Sequence, residues 1–188
     1  MTVIETAPSE TKLITGEELL AMGDIGPCEL IDGRIARKNF ASVEHGLAVT
    51  NLGCALGEFV RKWNRGRGMM GGVGIYTRRD PDRVRGADIV FVSKERGGDK
   101  PQKGFMTVAP ELVAEVMSPD DRWQDVRQKI EEYFSIGVQW VWVVEPENRA
   151  VLVYRSATEM RKWGEADVLR GEGVLEGFEM PVARLFEE

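Results

Sequence analysis

The sequence predicts an α+β domain in which a mixed central β-sheet is flanked by helices. Two observations support this class. A long amphipathic helical segment near residues 43–64 precedes several β-forming segments, and a second helical pattern separates two apolar strands. The 188 residues are enough for one domain with a good core. We therefore predict a flexible tail at residues 1–12 and a single domain at residues 13–188.

Local signals predict a helix–hairpin extension at the start of this domain. Thr15 and Glu18 have the spacing of a capping box, which predicts a short helix. Residues 28–37 form two short β-type segments around Asp32-Gly33, a dipeptide typical of hairpin turns.

The long helix is expected to begin after Ser42 and to end near Asn64. Cys54 lies among its apolar residues, which favours a buried, reduced thiol. A glycine-rich strand is expected at residues 69–77, before a charged turn.

Two predicted strands each carry one acidic residue among apolar ones. Residues 86–92 contain Asp88, and residues 112–117 contain Glu115. An ionised carboxylate in a buried strand costs several kcal/mol unless a cation or hydrogen-bond donors meet it. Asp88 either caps a turn or takes part in chemistry, and Glu115 either has a dedicated partner such as Arg122 or does the same.

The helix that follows is expected to start at residues 118–121, where acidic residues favour the positive end of the helix dipole. Apolar residues spaced four apart would face the sheet and leave Lys129 at the edge of the buried stripe. Lys129 either pairs with Asp125 on a solvated face, worth about 0.3–0.5 kcal/mol, or reaches the two acids.

Asp88, Glu115 and Lys129 together suit phosphodiester hydrolysis. Mg²⁺ usually takes one or two protein carboxylates, keeps several waters and leaves room for phosphate oxygens. A nearby ammonium can stabilise negative charge on the phosphate. The three are therefore our candidate catalytic residues, with both acids as candidate ligands for Mg²⁺ or Mn²⁺.

These residues resemble the Uma-two family of restriction endonuclease-like proteins, within the PD-(D/E)-x-K nuclease superfamily. The resemblance is strongest at Asp88 and at residues 112–138, and it extends to residues 29–33 and 177–181. It implies a restriction endonuclease-like core with a four-stranded mixed sheet and a Mg²⁺-dependent nuclease site.

The resemblance also assigns roles. Asp88 would match the motif aspartate and Glu115 the second acid. The superfamily's lysine normally lies two residues after the second acid, where this chain has Met117. The resemblance implies that Lys129 takes over that role from the following helix.

Four further residues are candidates for accessory roles: Glu44, His45, Asp125 and Gln139. The resemblance implies that Glu44, an acid on the first long helix, could join the metal site, although the first turn of a helix favours acids in any case. His45 is the only histidine, which excludes a multi-histidine metal site and favours a structural role. Asp125 belongs to the matched block, and Gln139 could direct a polar group at the site.

The net charge of −6 argues against a nucleic-acid binder held by overall charge. Residues 61–103 nevertheless contain 12 Lys and Arg against 5 Asp and Glu. They form either a basic surface for a polyanion or solvated loop charges. Arg78, Arg79, Arg83 and Arg85 are the candidate DNA contacts.

We therefore predict a metal-dependent endonuclease that cleaves DNA, with a homodimer as a further expectation. Two alternatives remain: a catalytically inactive nucleic-acid-binding or regulatory protein, and a scaffold that oligomerises through Trp140 and Trp142. The sequence shows neither a signal-peptide pattern nor a long apolar stretch, from which we expect a cytoplasmic protein without a membrane partner.

Overall fold

The computed structural model describes residues 12–98, 100 and 103–188. The tail predicted at residues 1–12 lies, apart from Lys12, outside this part of the chain. The helices and strands are, in order, α1 (Gly16–Ala21), β1 (Cys28–Ile31), β2 (Arg34–Arg37), α2 (Val43–Trp63), β3 (Gly66–Arg78), β4 (Arg83–Ser93), β5 (Leu112–Val116), α3 (Trp123–Ser135), β6 (Trp140–Glu145), β7 (Ala150–Tyr154), β8 (Met160–Gly164), β9 (Val168–Arg170) and β10 (Glu179–Pro181). Two 3₁₀ helices, Gly173–Leu175 and Val182–Phe186, complete them.

The N-terminal extension has the expected form. The Thr15 hydroxyl accepts a hydrogen bond from the Glu18 N–H at 3.1 Å, and the Glu18 carboxylate accepts one from the Thr15 N–H at 2.9 Å. Asp32 and Gly33 both have positive φ, as a two-residue hairpin turn between β1 and β2 requires. The antiparallel β1–β2 hairpin joins the edge of the main sheet.

The main sheet has eight strands in the order β2-β1-β4-β5-β6-β7-β8, and β3 pairs with the other edge of β4. It is larger than the four-stranded sheet implied by the resemblance, because both hairpins at its ends continue it. Among the strands of the described residues, β5 and β6 are the one parallel pair, and α3 is the crossover between them. The predicted mixed α+β architecture is confirmed.

One edge of β4 is shared by two strands, and this creates a fork. Near its start β4 pairs with β1 at Leu30↔Val84, and farther along it pairs with β5 from Ile89 to Phe91. Residues 85–88 therefore have no strand partner on that edge. Buried backbone groups need partners, so side chains must reach into this fork.

Helices cover both faces of the sheet. The apolar face of α2, from Ala48 to Val60, belongs to one cluster of core residues, and Val126 and Ile130 of α3 belong to another on the opposite face. Cys54 lies on the outer side of α2 and is exposed, which corrects the expectation of a buried thiol.

The start of α3 also differs from the prediction. Residues 118–121 form a turn in which the Asp121 carboxylate accepts a hydrogen bond from the Ser118 N–H at 2.8 Å. The helix begins at Trp123, after Arg122. The acids therefore cap a turn before the helix, because a short acidic side chain can bond locally to backbone.

Candidate active site

Asp88 and Glu115 face each other across the fork. Ile89 and Ala114 are register partners, so Asp88 and Glu115 occupy opposite positions one step beyond that pair. Side chains at such positions have Cβ atoms about 4.5–5.5 Å apart. The Val116 N–H donates to Asp88 Oδ2 at 2.8 Å, so the aspartate side chain takes the place of a strand–strand hydrogen bond.

Glu115 is buried and has two dedicated donors. The Tyr133 hydroxyl donates to Oε1 and Lys129 Nζ donates to Oε2 at 3.1 Å. Burial, together with the smaller effect of Asp88, raises the pKa of Glu115 to about 7 against the opposing effects of Lys129 and Tyr133. Glu115 makes no contact with Arg122, the alternative partner. With a pKa of about 7, its carboxyl group is partly protonated at neutral pH.

Lys129 lies inside the fork and is only 9% exposed. Its ammonium contacts Glu115 Oε2 at 3.1 Å, Glu29 Oε1 at 2.9 Å and the Gly86 carbonyl oxygen at 3.4 Å. An ammonium has three donors, and all three have acceptors here. Burial lowers the pKa of Lys129, but the two carboxylates outweigh burial and raise it. Lys129 therefore contacts Glu115, one of the two expected acids, together with Glu29, and does not form the solvated pair with Asp125.

Glu29 is a third acid of the site, and sequence reasoning did not assign it a role. It accepts from Lys129, from Arg85 Nη1 at 2.9 Å and from the Gly86 N–H at 3.3 Å. Burial would raise the pKa of Glu29, but Lys129 and Arg85 outweigh it and the pKa is lowered. The available signal was the one that identified Asp88: an acid within an apolar strand.

His45 lies between Asp88 and the turn before α3. Its Nε2 is 3.4 Å from Asp88 Oδ1, and its Nδ1 is 3.2 Å from the Ser118 hydroxyl oxygen. The hydrogen bond with Asp88 raises the pKa of His45, against the opposite effect of burial. The imidazole is thus part of the site and restrains Asp88 from the side opposite Val116.

The site forms the floor of an open cleft of about 920 Å³. Acidic side chains outnumber basic ones among the residues that line it, seven to four. The acidic ones are Asp24, Glu29, Asp88, Glu115, Asp120, Asp121 and Asp125. A polyanion would be repelled by such a cleft unless a cation were bound in it, whereas a divalent cation would be attracted.

Two of the four accessory candidates lie elsewhere. Glu44 is exposed and lines a different cavity, beside the β6–β7 turn. Gln139 is exposed before β6, and its N–H bonds to the carbonyl of Glu111 near the start of β5. Because β5 and β6 are parallel, that position lies at the opposite end from Glu115. The expectation that Glu44 and Gln139 join the site is wrong, whereas His45 and Asp125 do line the cleft.

The four candidate DNA contacts are all paired with carboxylates. Arg85 is only 6% exposed and bonds to Glu29 and Glu132. Arg83 bonds to Asp32 and Glu132, and its side chain is 12% exposed. Both arginines are therefore enclosed by the fold, which corrects their assignment as DNA contacts.

Arg78 and Arg79 remain as candidates because their side chains are 43% and 48% exposed. Arg78 pairs with Asp32, and Arg79 pairs with Glu17 and Asp82 and stacks on Tyr76. These carboxylates already neutralise much of the charge of the two arginines. Arg78 and Arg79 therefore form a weaker anion-binding surface than the sequence suggested.

A measurement of DNA affinity against salt concentration would test the separation of the two pairs of arginines. Each lost phosphate contact lowers the slope of log affinity against log salt by about 0.9. Arg78→Gln with Arg79→Gln should therefore reduce the slope by at most about 2, without a loss of thermal stability. Arg85→Gln should leave the slope unchanged and lower the melting temperature, since it removes a buried partner of Glu29 and Glu132. A reduced slope with unchanged melting temperature for Arg85→Gln would contradict its enclosed position.

The residues described by the structure contain no group of three or more His, Cys, Asp and Glu side chains that could hold a metal ion. The candidate metal site therefore consists of the two carboxylates of Asp88 and Glu115. This set fits Mg²⁺ or Mn²⁺, which accept one or two protein carboxylates with water in the remaining positions.

The mixed sheet, the flanking helices and the paired acids at the fork define a restriction endonuclease-like domain. The chain belongs to the Uma-two family (Uma2, putative restriction endonuclease), whose sequence model matches residues 17–183. This confirms the family resemblance found in the sequence.

The fold is also similar to a crystal structure of a putative nuclease from Anabaena variabilis. The similarity has a TM-score of 0.77 at 21% sequence identity and covers 92% of this chain and 97% of the other. No curated protein matches the sequence. Across the residues that the structure describes, none of the helices is both long and apolar enough to span a membrane.

Proposed function

We propose that the protein is a metal-dependent endonuclease that hydrolyses phosphodiester bonds in DNA. The observation that carries the proposal is the meeting of two carboxylates from neighbouring strands with a buried ammonium at the floor of one cleft. Membership of a family described as putative restriction endonucleases supports nuclease chemistry.

Asp88 and Glu115 would hold Mg²⁺ or Mn²⁺ in this proposal. When bound, the cation would supply a Lewis acid for the phosphoryl oxygen and a water of lowered pKa. The Val116 N–H and His45 fix Asp88, while the Tyr133 hydroxyl fixes Glu115. These contacts hold both carboxylates in place before a cation binds.

Lys129 would keep one positive charge at the position of the attacked phosphate. Its raised pKa keeps it charged through the physiological range. Charge held in a site partly closed to water stabilises a developing negative charge more than it would in bulk solvent. Asp125 lies at the cleft wall without a contact to Lys129 and is left without a catalytic role.

Cleavage assays on plasmid DNA test the proposal directly. The protein should nick or linearise DNA with Mg²⁺ or Mn²⁺ and should be inactive in a chelator. Asp88→Asn should abolish cleavage, because it removes one of two anionic ligands. Gln139→Ala, at the opposite end of the sheet, is the matched control and should retain full activity. Binding without cleavage under every metal condition would instead support an inactive nucleic-acid-binding protein.

A further inference from the structure

We propose that Glu29 is a positioning residue that holds the Lys129 ammonium in place when Glu115 engages a cation. The inference rests on the proposed nuclease function and deepens it. Glu29 lies on β1 of the N-terminal hairpin. The hairpin therefore contributes a side chain to the site in addition to extending the sheet.

The contacts of Lys129 divide into two kinds. One contact is to Glu115, a candidate metal ligand, at 3.1 Å. The other two are to Glu29 at 2.9 Å and to the Gly86 carbonyl oxygen at 3.4 Å, and neither of these groups is a candidate ligand. A cation that recruits Glu115 competes with the ammonium for that carboxylate. Glu29 and Gly86 can then still hold the ammonium where it is.

Glu29 is itself held rigidly. Its Oε2 accepts from Arg85 Nη1 at 2.9 Å, and its Oε1 accepts from the Gly86 N–H at 3.3 Å. Arg85 also donates to Glu132 from Nε and Nη2, both at 2.7 Å. Two parallel bonds between a guanidinium and a carboxylate fix the geometry as well as the distance.

This chain of contacts closes on the helix that carries the lysine. Glu132 lies three residues after Lys129, on the next turn of α3. The links from Lys129 to Glu29, Arg85 and Glu132 therefore tie the ammonium end of the lysine and its own helix to the same pair of strands. The charges balance within the set, since two carboxylates meet one guanidinium and one ammonium.

A lysine on a helix needs this support more than a lysine on the strand. Its long side chain has many accessible rotamers, so an unsupported ammonium would sample many positions. Two residues after Glu115, just beyond the end of β5, the chain has the uncharged Met117. The contact with Glu29 fixes the position of the Lys129 ammonium, which its attachment to the helix alone would leave less well defined.

A double-mutant cycle in single-turnover cleavage tests the inference. Glu29→Gln keeps the shape of the side chain and removes its charge, and it should lower the cleavage rate about tenfold with little change in substrate KM. In a Lys129→Met background the same change should cause no further loss. Additive losses would overturn the proposal, because Glu29 would then act independently of the lysine. Glu44→Gln, an exposed acid of the neighbouring cavity, is the control.

A second readout needs no catalysis. Acetylation of Lys129 by acetic anhydride, measured by mass spectrometry with Mn²⁺ present, should stay slow in the wild type and become several-fold faster in Glu29→Gln. Equal labelling of the two proteins would overturn the proposal even if DNA cleavage were normal. If the wild type cleaves no nucleic acid but the labelling differs as expected, the proposed nuclease function fails and the anchoring of Lys129 by Glu29 stands.

Discussion

Replacing Lys129 with methionine should lower the single-turnover rate of DNA cleavage by about 10²-fold or more, the scale of losing one electrostatic stabiliser. Methionine preserves much of the side-chain volume and removes the charge. Lys129→Arg should restore little activity, because a planar guanidinium cannot occupy the position where a compact ammonium meets Glu115, Glu29 and Gly86. Metal binding should persist in both variants, since the carboxylates are intact.

The same substitution should also lower stability. A surface ion pair would cost only about 0.5 kcal/mol, but removing one partner of a buried pair typically costs about 3–5 kcal/mol. Protonation of Glu115 reduces that cost, because its pKa is already raised to about 7. Cleavage must therefore be measured at a temperature where circular dichroism shows the variant to be folded.

Arg127→Met is the matched control. Arg127 lies on the same helix, two residues before Lys129, but is exposed. Its loss should change neither the cleavage rate nor the melting temperature appreciably. Full activity in folded Lys129→Met would show that the lysine has no catalytic role.

The metal-free protein should become less stable as the pH rises from about 5 to 7.5, in the part of its stability that depends on Glu115. The pKa of this carboxyl is 4.5 when unperturbed and about 7 in the folded protein. Between these values the folded state holds a proton that the unfolded state has released. Stability therefore falls with rising pH, by up to roughly 3 kcal/mol at 1.36 kcal/mol per pKa unit.

Glu115→Gln isolates this contribution from those of other ionisable groups. The variant should be more stable than the wild type at pH 7.5 and lose most of that advantage at pH 5, in urea unfolding followed by fluorescence. Glu44→Gln is the control, since that acid is exposed and should show no such pattern. An identical pH dependence in wild type and Glu115→Gln would contradict a raised pKa at this position.

Binding of a divalent metal should offset the stability that is lost when Glu115 ionises. Mn²⁺ favours the ionised form of Glu115 and should raise the melting temperature of the wild type at pH 7.5. Asp88→Asn and Glu115→Gln should each remove that increase, because each takes away one of two anionic ligands. Equal Mn²⁺ shifts in all three proteins would rule out a site shared by the two acids.

The sequence determined much of the local structure, because the signals concerned are local. The capping box at Thr15, the Asp32-Gly33 turn and the helix after Ser42 all depend on residues within a few positions of one another. The strands carrying Asp88 and Glu115 were recognisable because a charged residue in an apolar strand requires a partner whatever the fold. The position of Lys129 at the edge of the buried face of α3 follows from helical spacing in the same way.

Only the tertiary structure decided which groups meet. Glu29 reaches Lys129 because β1 and β5 both pair with one edge of β4, although β1 and β5 themselves lie more than 80 positions apart in the chain. The same long-range pairing encloses Arg83 and Arg85 as ion-pair partners. It also places Gln139 at the end of β5 and β6 opposite Glu115. Strand order and direction arise from pairing between distant segments, and neither residue type nor local spacing specifies that pairing.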